Sequence, residues 1–102
     1  MVDVSVIERM IEQGRDSYEA RLAVGQAHLK QGQFDRAIEH LAKACEMSPQ
    51  KTVAWQALGQ AHVKNDQPDL ARESWQQGIE VAKANGDQQA EKVMAVWLKR
   101  LG

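Results

Sequence analysis

Apolar residues recur at intervals of three and four positions along almost the whole chain, which is the spacing of helices that bury one face. Turn signals divide this pattern into six segments, so we predict six helices. In the first, Ser5 and Glu8 form a capping-box pattern and Gly14 is the predicted stop. Its apolar stripe comprises Val6, Ile7, Met10 and Ile11. A short helix with one apolar face must pack on a neighbour, so we interpret it as an N-terminal lid.

Four longer helices follow the first one. The second covers about 17–31, and the third begins near Phe34 and is closed by Ser48 and Pro49, because proline disfavours helical geometry in the residue before it. The fourth begins near Thr52. The fifth begins at Pro68, whose missing N–H has no partner to lose in a first helical turn. Its inward positions are Leu70, Ala71, Trp75, Gly78, Ile79 and Ala82.

The sixth helix closes the chain. Asn85 and Gly86 predict the end of the fifth helix, and Asp87 is the predicted N-cap of the sixth. The apolar stripe of this last helix comprises Ala90, Val93, Met94, Trp97 and Leu101. Its other face is charged, which suits the end of a stack of repeated units, because the last unit cannot bury its outer side alone. We interpret it as a C-terminal cap.

One stretch of the chain is repeated. Gly25-Gln26-Ala27-His28 returns as Gly59-Gln60-Ala61-His62, and about a dozen identities share the same offset of about 34 residues. A glycine inside a helix costs about 0.5–1 kcal/mol relative to alanine. Two glycines at matched places therefore predict that another helix comes very close there. Gly32 ends the second helix, whereas Asp66 stands at the equivalent place, so the second turn must be made without glycine.

Composition and charge narrow the class of protein. The chain has 102 residues, 43% of them apolar, which is enough for the core of one small helical domain. Its formal charge of −1 gives no field that would recruit nucleic acid or an anionic membrane surface. Cys45 is the single cysteine, the N-terminus lacks the pattern of a signal peptide, and no apolar run approaches the ~18 residues of a membrane span. We predict a cytoplasmic protein with no nucleic-acid or membrane partner.

Residues 18–85 resemble two tetratricopeptide repeats. In the first copy, the family's signature of small and large residues is met by Val24-Gly25, Ala27-His28, Phe34, Ala37, Leu41, Ala44 and Pro49. In the second copy, it is met by Trp55, Leu58-Gly59, Ala61-His62, Ala71, Trp75 and Gly78. The C-terminal run from Gly86 to Leu101 also resembles the ending of small stand-alone bacterial proteins of this family.

The resemblance implies an all-α fold, a right-handed α–α superhelix of two helix–turn–helix repeats. It implies a single domain over 1–102, with an N-terminal helix at 5–14, repeat 1 at 18–51, repeat 2 at 52–85 and a capping helix at 87–101. Three positions depart from the family pattern. Arg21 and Pro68 replace large aromatic residues, and Lys83 stands where proline usually closes the unit. The last departure predicts a fifth helix that is longer than a standard one.

The histidines are the first candidates for chemistry. His28 and His62 occupy equivalent places, and either could be a metal ligand or a packing residue that replaces the family's usual tyrosine. A zinc site needs three or four ligands. We find no Cys or carboxylate at ligand spacing beside either histidine, so we favour packing; His40 has no evident role. Cys45 and the tryptophans fall on predicted inward faces and are interpreted as core.

No phosphate-binding glycine loop, nucleophile elbow or HExxH motif occurs in the sequence. We therefore predict that the chain is not an enzyme and has no catalytic residues, no metal and no cofactor. A metal-dependent hydrolase that uses the histidines is disfavoured.

By resemblance, the first helix of each repeat lines a concave groove that holds a peptide segment or a partner helix. The implied groove residues are Glu19, Leu22, Gln26, Leu29 and Lys30 in the first copy, and Val53, Gln56, Gln60, Val63 and Lys64 in the second. The apolar ones fall off the inward stripes, the amides of Gln26 and Gln60 could hold a peptide backbone, and the lysines could attract an acidic residue. Leu22 and Gln26 stand where the chaperone-tail version of this groove has a basic and an asparagine residue, so a grip on a terminal carboxylate is not expected.

The predicted function is therefore a protein–protein interaction module with a protein or peptide partner. Two alternatives stay open at this point. The groove positions could be ordinary half-exposed helix residues, or the apolar ones could join the subunits of a self-associating structural protein.

Overall fold

The computed structural model of the protein describes residues 3–102. These residues form α1 (Val4–Glu12), α2 (Tyr18–Lys30), α3 (Phe34–Met47), α4 (Thr52–Lys64), α5 (Pro68–Asn85) and α6 (Gln88–Leu101). They contain no strand, so the predicted all-α fold is confirmed for this part of the chain. From α2 onward, each helix is joined to the next by a short turn and packs against it. This arrangement forms an α–α superhelix.

Polar side chains fix the starts of α2 and α6. Ser17 Oγ accepts a hydrogen bond from the backbone N–H of Ala20 at 3.0 Å, and Asp87 Oδ1 accepts one from that of Ala90 at 3.1 Å. The predicted cap at Asp87 is thus confirmed. The other carboxylate oxygen of Asp87 accepts a hydrogen bond from Thr52 Oγ1 at 3.3 Å, so the same residue starts α6 and ties it to α4.

The start of α1 differs from the prediction. The helix begins before Ser5, and Asp3 Oδ1 accepts hydrogen bonds from both the backbone N–H and the hydroxyl of Ser5, at 3.0 and 2.7 Å. The capping box of Ser5 and Glu8 is therefore wrong. A carboxylate is the stronger acceptor at a helix N-terminus and takes the capping role, while Glu8 turns toward His28.

The two repeats make the same turn with different residues. Gly32 ends the first with φ of 78°, and Asp66 ends the second with φ of 58°, both in the left-handed region. In each turn the next residue, a glutamine, donates its backbone N–H to the carbonyl of the preceding histidine, at 2.9 and 2.8 Å. The expected turn without glycine therefore exists, because aspartate tolerates the left-handed conformation better than most residues do.

The fifth helix is longer than the others, as predicted from Lys83. It covers 18 residues, and lysine continues it where a proline would have closed it. Gly86 ends it in the left-handed conformation, with φ of 71°. Asn85 Nδ2 in its last turn donates to the backbone carbonyl of Gln50 at 2.7 Å, which holds the long helix against the turn between the two repeats.

The core consists of two clusters of buried residues. The first comprises Tyr18, Ala37, Leu41, Ala44, Cys45, Ala54, Ala57, Leu58 and Ala61. The second comprises Ala71, Trp75, Ala82, Ala90 and Met94, and joins α6 to α5. The predicted lid, α1, contributes no fully buried residue and packs mainly on α2. The first helix is therefore the most weakly attached part of the described chain.

The matched glycines lie where two helices touch, as predicted. A Cβ on Gly25 would stand 2.6 Å from Leu41 Cγ, and a Cβ on Gly59 would overlap the indole ring of Trp75. Two expected inward positions are wrong: Val6 is 49% exposed and Leu70 is 42% exposed. Val6 is exposed on α1, and Leu70 lies in the exposed first turn of α5.

Candidate functional site

An open groove of about 1110 Å³ runs along α2 and α4, the first helices of the two repeats. Its lining comprises Val4, Ala23, Gln26, Ala27, Leu29, Lys30, Gln31, Gly32, Phe34, Ala57, Gln60 and Lys64. The lining includes Gln26, Leu29, Lys30, Gln60 and Lys64, which are half of the residues that the resemblance implied. Gln26 and Gln60 occupy equivalent places in the two copies of the repeat, and so do Lys30 and Lys64.

The groove continues into a smaller cavity of about 240 Å³ beside α6. Leu29, Gln60 and Lys64 line both cavities, and the smaller one adds Val63, Trp75 and Trp97. The Trp97 ring is half-buried and lies 5.2 Å from the Trp75 ring, centroid to centroid, at an interplanar angle of 42°. The groove thus extends from Val4 on α1 to an aromatic end on α6.

The other four implied residues lie in the first halves of α2 and α4, outside both cavities. Glu19 Oε1 is 3.6 Å from Lys51 Nζ, and Gln56 is half-buried. Leu22 packs on the first core cluster, as Leu29 does, so these two leucines do not stand clear of the core as expected. Val53 is 44% exposed.

The polar groups of the groove have no partner within residues 3–102. Lys30 and Lys64 are exposed, and neither forms an ion pair with a described carboxylate. The side-chain amides of Gln26 and Gln60 likewise make no hydrogen bond to a described residue. The groove therefore presents two cations and two amides that can each donate and accept hydrogen bonds.

Sequence reasoning missed the floor of the groove. Ala23, Ala27 and Ala57 line it, and their small side chains leave room for a backbone to approach the helices. Ala23 and Ala57 are equivalent in the two copies, so the repeat itself carried a signal for them. Phe34, near which the third helix was expected to begin, is half-buried and lines the groove as well.

A cluster beside α1 was also missed. Glu8 Oε1 lies 2.6 Å from His28 Nε2, and the His28 ring stacks on His40 with centroids 5.7 Å apart and an interplanar angle of 13°. The sequence has no carboxylate at ligand spacing beside His28, but the fold brings Glu8 from α1 to its ring. In the second copy, His62 Nδ1 lies 3.0 Å from Gln67 Oε1.

Arg21 borders this cluster. Its guanidinium lies 3.2 Å from His40 Nδ1 and donates two hydrogen bonds to Asp16, at 2.8 and 2.9 Å. These hydrogen bonds hold the pKa of Asp16 below its ordinary value. Burial, and then the charge of Arg21, lower the pKa of His40, so its neutral form is favoured.

Cys45 and two of the tryptophans have packing roles. Cys45 is 3% exposed, and burial raises the pKa of its thiol to about 12, which keeps it protonated. Trp75 is buried and donates its indole N–H to the carbonyl of Gln56 at 3.1 Å. Trp55 is half-buried and donates to the carbonyl of Pro49 at 2.9 Å.

Comparison with known proteins decides the family. Residues 28–96 match the family model for the tetratricopeptide repeat, which is more than half of the chain. The chain belongs to the tetratricopeptide repeat family. A curated relative, the TPR repeat-containing protein PA0015 of Pseudomonas aeruginosa, is 37% identical over 95 residues, which cover 93% of this chain and 90% of the relative.

A solved structure agrees with the tetratricopeptide assignment. The solution structure of protein BPP2914 from Bordetella parapertussis matches with a TM-score of 0.84 and 34% identity, covering 99% of this chain and 88% of that one. Tetratricopeptide repeats are in general protein-interaction modules rather than enzymes. Within residues 3–102, no helix has the length and apolar character to span a membrane.

Proposed function

We propose that this tetratricopeptide repeat protein binds a peptide segment with at least one acidic residue in the groove along α2 and α4. The observation that supports the proposal is that Gln26 and Gln60, and likewise Lys30 and Lys64, occupy equivalent places on one groove of about 1110 Å³. None of these four side chains has a hydrogen-bond or ion-pair partner within residues 3–102.

Each part of the groove has a stated role in this proposal. The amides of Gln26 and Gln60 donate to and accept from the peptide backbone, and the alanine floor lets that backbone lie close to the helices. Lys30 and Lys64 attract the acidic side chain, most strongly at low salt. Trp97 and Val63 offer an apolar surface for a neighbouring side chain of the peptide.

The experiment compares matched double variants. Lys30→Ala with Lys64→Ala should weaken binding of a short acidic peptide about 2- to 30-fold, since each exposed ion pair contributes about 0.2–1 kcal/mol. Lys92→Ala with Lys99→Ala removes two exposed lysines from α6 and should leave affinity unchanged. Equal affinity of both double variants for the acidic peptide would reject the assigned site. Affinity capture from a native extract, followed by mass spectrometry, then identifies the natural partner.

Self-association is a second candidate function, because two apolar side chains on α4 are exposed. Val53 is 44% and Val63 is 39% exposed, so α4 could pair with the α4 of a second copy. Sedimentation at micromolar concentration tests this, and Val63→Lys should then dissociate the dimer. Val96→Lys is the matched control, since Val96 is 48% exposed on α6. A monomer at all concentrations would exclude this function.

A further inference from the structure

Three side chains of metal-ligand type, one each from α1, α2 and α3, lie close together. Glu8 comes from α1, His28 from α2 and His40 from α3, and one ligand atom of each lies within 4.8 Å of the others. One carboxylate and two imidazoles form the donor set of zinc sites that have three protein ligands and an open fourth position. We propose that the protein binds one divalent transition-metal ion, with Zn²⁺ as the reference case, through Glu8, His28 and His40.

The state of His28 supports a ligand role. Its side chain is 5% exposed, its Nε2 lies 2.6 Å from Glu8 Oε1, and its Nδ1 is buried without any hydrogen-bond partner among the described residues. Buried polar atoms without a partner are uncommon and unfavourable. An ion bound by this ring would account for a polar atom that the described residues leave without a partner.

The second repeat provides an internal comparison. Its equivalent histidine, His62, has its Nδ1 within 3.0 Å of Gln67 Oε1, so it leaves no such atom unmatched. At the same offset, Ala42 corresponds to Glu8 and Ser74 corresponds to His40. The repeat therefore requires the histidine in both copies, but it does not require the other two groups. Packing explains why both copies have a histidine at this place, but it does not explain why Glu8 and His40 lie beside His28 alone.

The distances fit an ion after a small adjustment. Zinc with bonds of about 2.0–2.2 Å separates its ligand atoms by about 3.3 Å in tetrahedral geometry, and the three ligand atoms here all lie within 4.8 Å of one another. Glu8 lies on α1, the helix that has no fully buried residue, so its carboxylate can move to meet an ion.

Arg21 does not prevent binding. Arginine only donates hydrogen bonds, so at 3.2 Å from its guanidinium His40 Nδ1 is an acceptor and the ring already presents a lone pair. The ion competes with Arg21 for this ring. If the Arg21 guanidinium moves away from His40, its charge remains balanced by Asp16, to which it donates two hydrogen bonds.

An ion at this place would fasten α1 to α2 and α3. Val4, at the start of α1, lines the groove, so the ion would also fix one end of the groove. None of the three metal ligands lines the groove, so metal binding can be measured without the peptide.

The test uses the full chain without an affinity tag, stripped with EDTA and dialysed. Calorimetric titration with Zn²⁺ should show one ion per chain, and Co²⁺ should give the visible absorption of a four- or five-coordinate site. His40→Ser, which copies Ser74 of the second repeat, and Glu8→Gln should each weaken binding by at least ~10-fold. Glu12→Gln is the matched control, since Glu12 is an exposed carboxylate on the same helix, and it should bind like the wild type.

The competing explanation is that Glu8 and His28 only anchor α1. In that case Glu8→Gln would loosen α1 in hydrogen exchange, but wild-type protein would bind no stoichiometric Zn²⁺, and this result would overturn the proposal. Wild-type affinity in His40→Ser would overturn it as well. If that variant does not fold, as circular dichroism would show, Glu8→Gln and the Co²⁺ spectrum of the wild type decide. Slower exchange of α1 amides on addition of Zn²⁺ is expected only if the ion bridges the helices.

Discussion

The indole ring of Trp75 occupies the space that a side chain on Gly59 would need. This contact joins α4 to α5 inside the second repeat, and the Trp75 N–H also donates to the backbone of α4 at the carbonyl of Gln56. In the first repeat a leucine replaces the tryptophan in the equivalent contact, so that Leu41 lies against Gly25. The repeated glycines are therefore packing residues, whereas the residues that follow them, Gln26 and Gln60, line the groove.

The first prediction concerns these glycines. Gly59→Ala should lower the free energy of unfolding, because overpacking costs about 1–3 kcal/mol and exceeds the helix-propensity gain of about 0.5–1 kcal/mol. Gly25→Ala should cost less, since its Cβ would stand 2.6 Å from Leu41 Cγ, whereas a Cβ on Gly59 would overlap a rigid indole ring. Denaturant unfolding of both variants measures the difference. A Gly59→Ala protein as stable as the wild type would show that α4 and α5 are not so close.

The second prediction concerns the turn at Gly32. A Cβ there would meet no atom within 4 Å, so the cost of a substitution comes only from φ of 78°. Gly32→Ala should therefore lower the stability by about 1–2 kcal/mol, and Gly32→Asn should lower it less. Thermal unfolding of the two variants tests this order. Asp66 at the equivalent place, with φ of 58°, is the natural precedent for the polar replacement.

The third prediction concerns Cys45. Because burial raises its pKa to about 12 from an ordinary 9.0, the native thiol should resist a thiol reagent near pH ~8 and react after denaturation. The unfolded thiol loses its proton first as the pH rises. The stability should therefore fall above pH 9.0 by up to about 1.4 kcal/mol per pH unit.

Cys45→Ala is the control for this pH dependence. It should remove the part of the decline that begins near pH 9.0, while a further decline from Tyr18 remains, since burial raises the pKa of that phenol from 10.0 as well. Identical pH profiles of the wild type and Cys45→Ala would contradict the assignment to the thiol.

The hydrophobic period was sufficient to predict the helices and the two close contacts. The turn without glycine at Asp66 and the long fifth helix also followed from single residues in the repeat, because each replaced a residue with a known local role. Local pattern failed where neighbours decide the outcome. Val6 and Leu70 have the right spacing to be buried, but no helix covers them, and spacing along one helix does not report what lies opposite.

The cluster around His28 could not be predicted for a related reason. Its three members lie on three helices, so no local spacing connects Glu8 with His28 or His40. The incorrect capping box also assigned Glu8 to a backbone role. Only the packing of α1 on α2 reveals that its carboxylate faces an imidazole.

The central claim is that the groove along α2 and α4 is the peptide-binding surface. Titration of ¹⁵N-labelled protein with a short acidic peptide tests it most directly. The account predicts chemical-shift changes at Gln26, Lys30, Gln60 and Lys64, together with a change in the Trp97 indole signal. A second cavity of about 800 Å³, lined by residues of α3, α4 and α5 that include Glu46, Trp55 and Glu73, serves as the internal reference. Changes confined to that cavity would contradict the account.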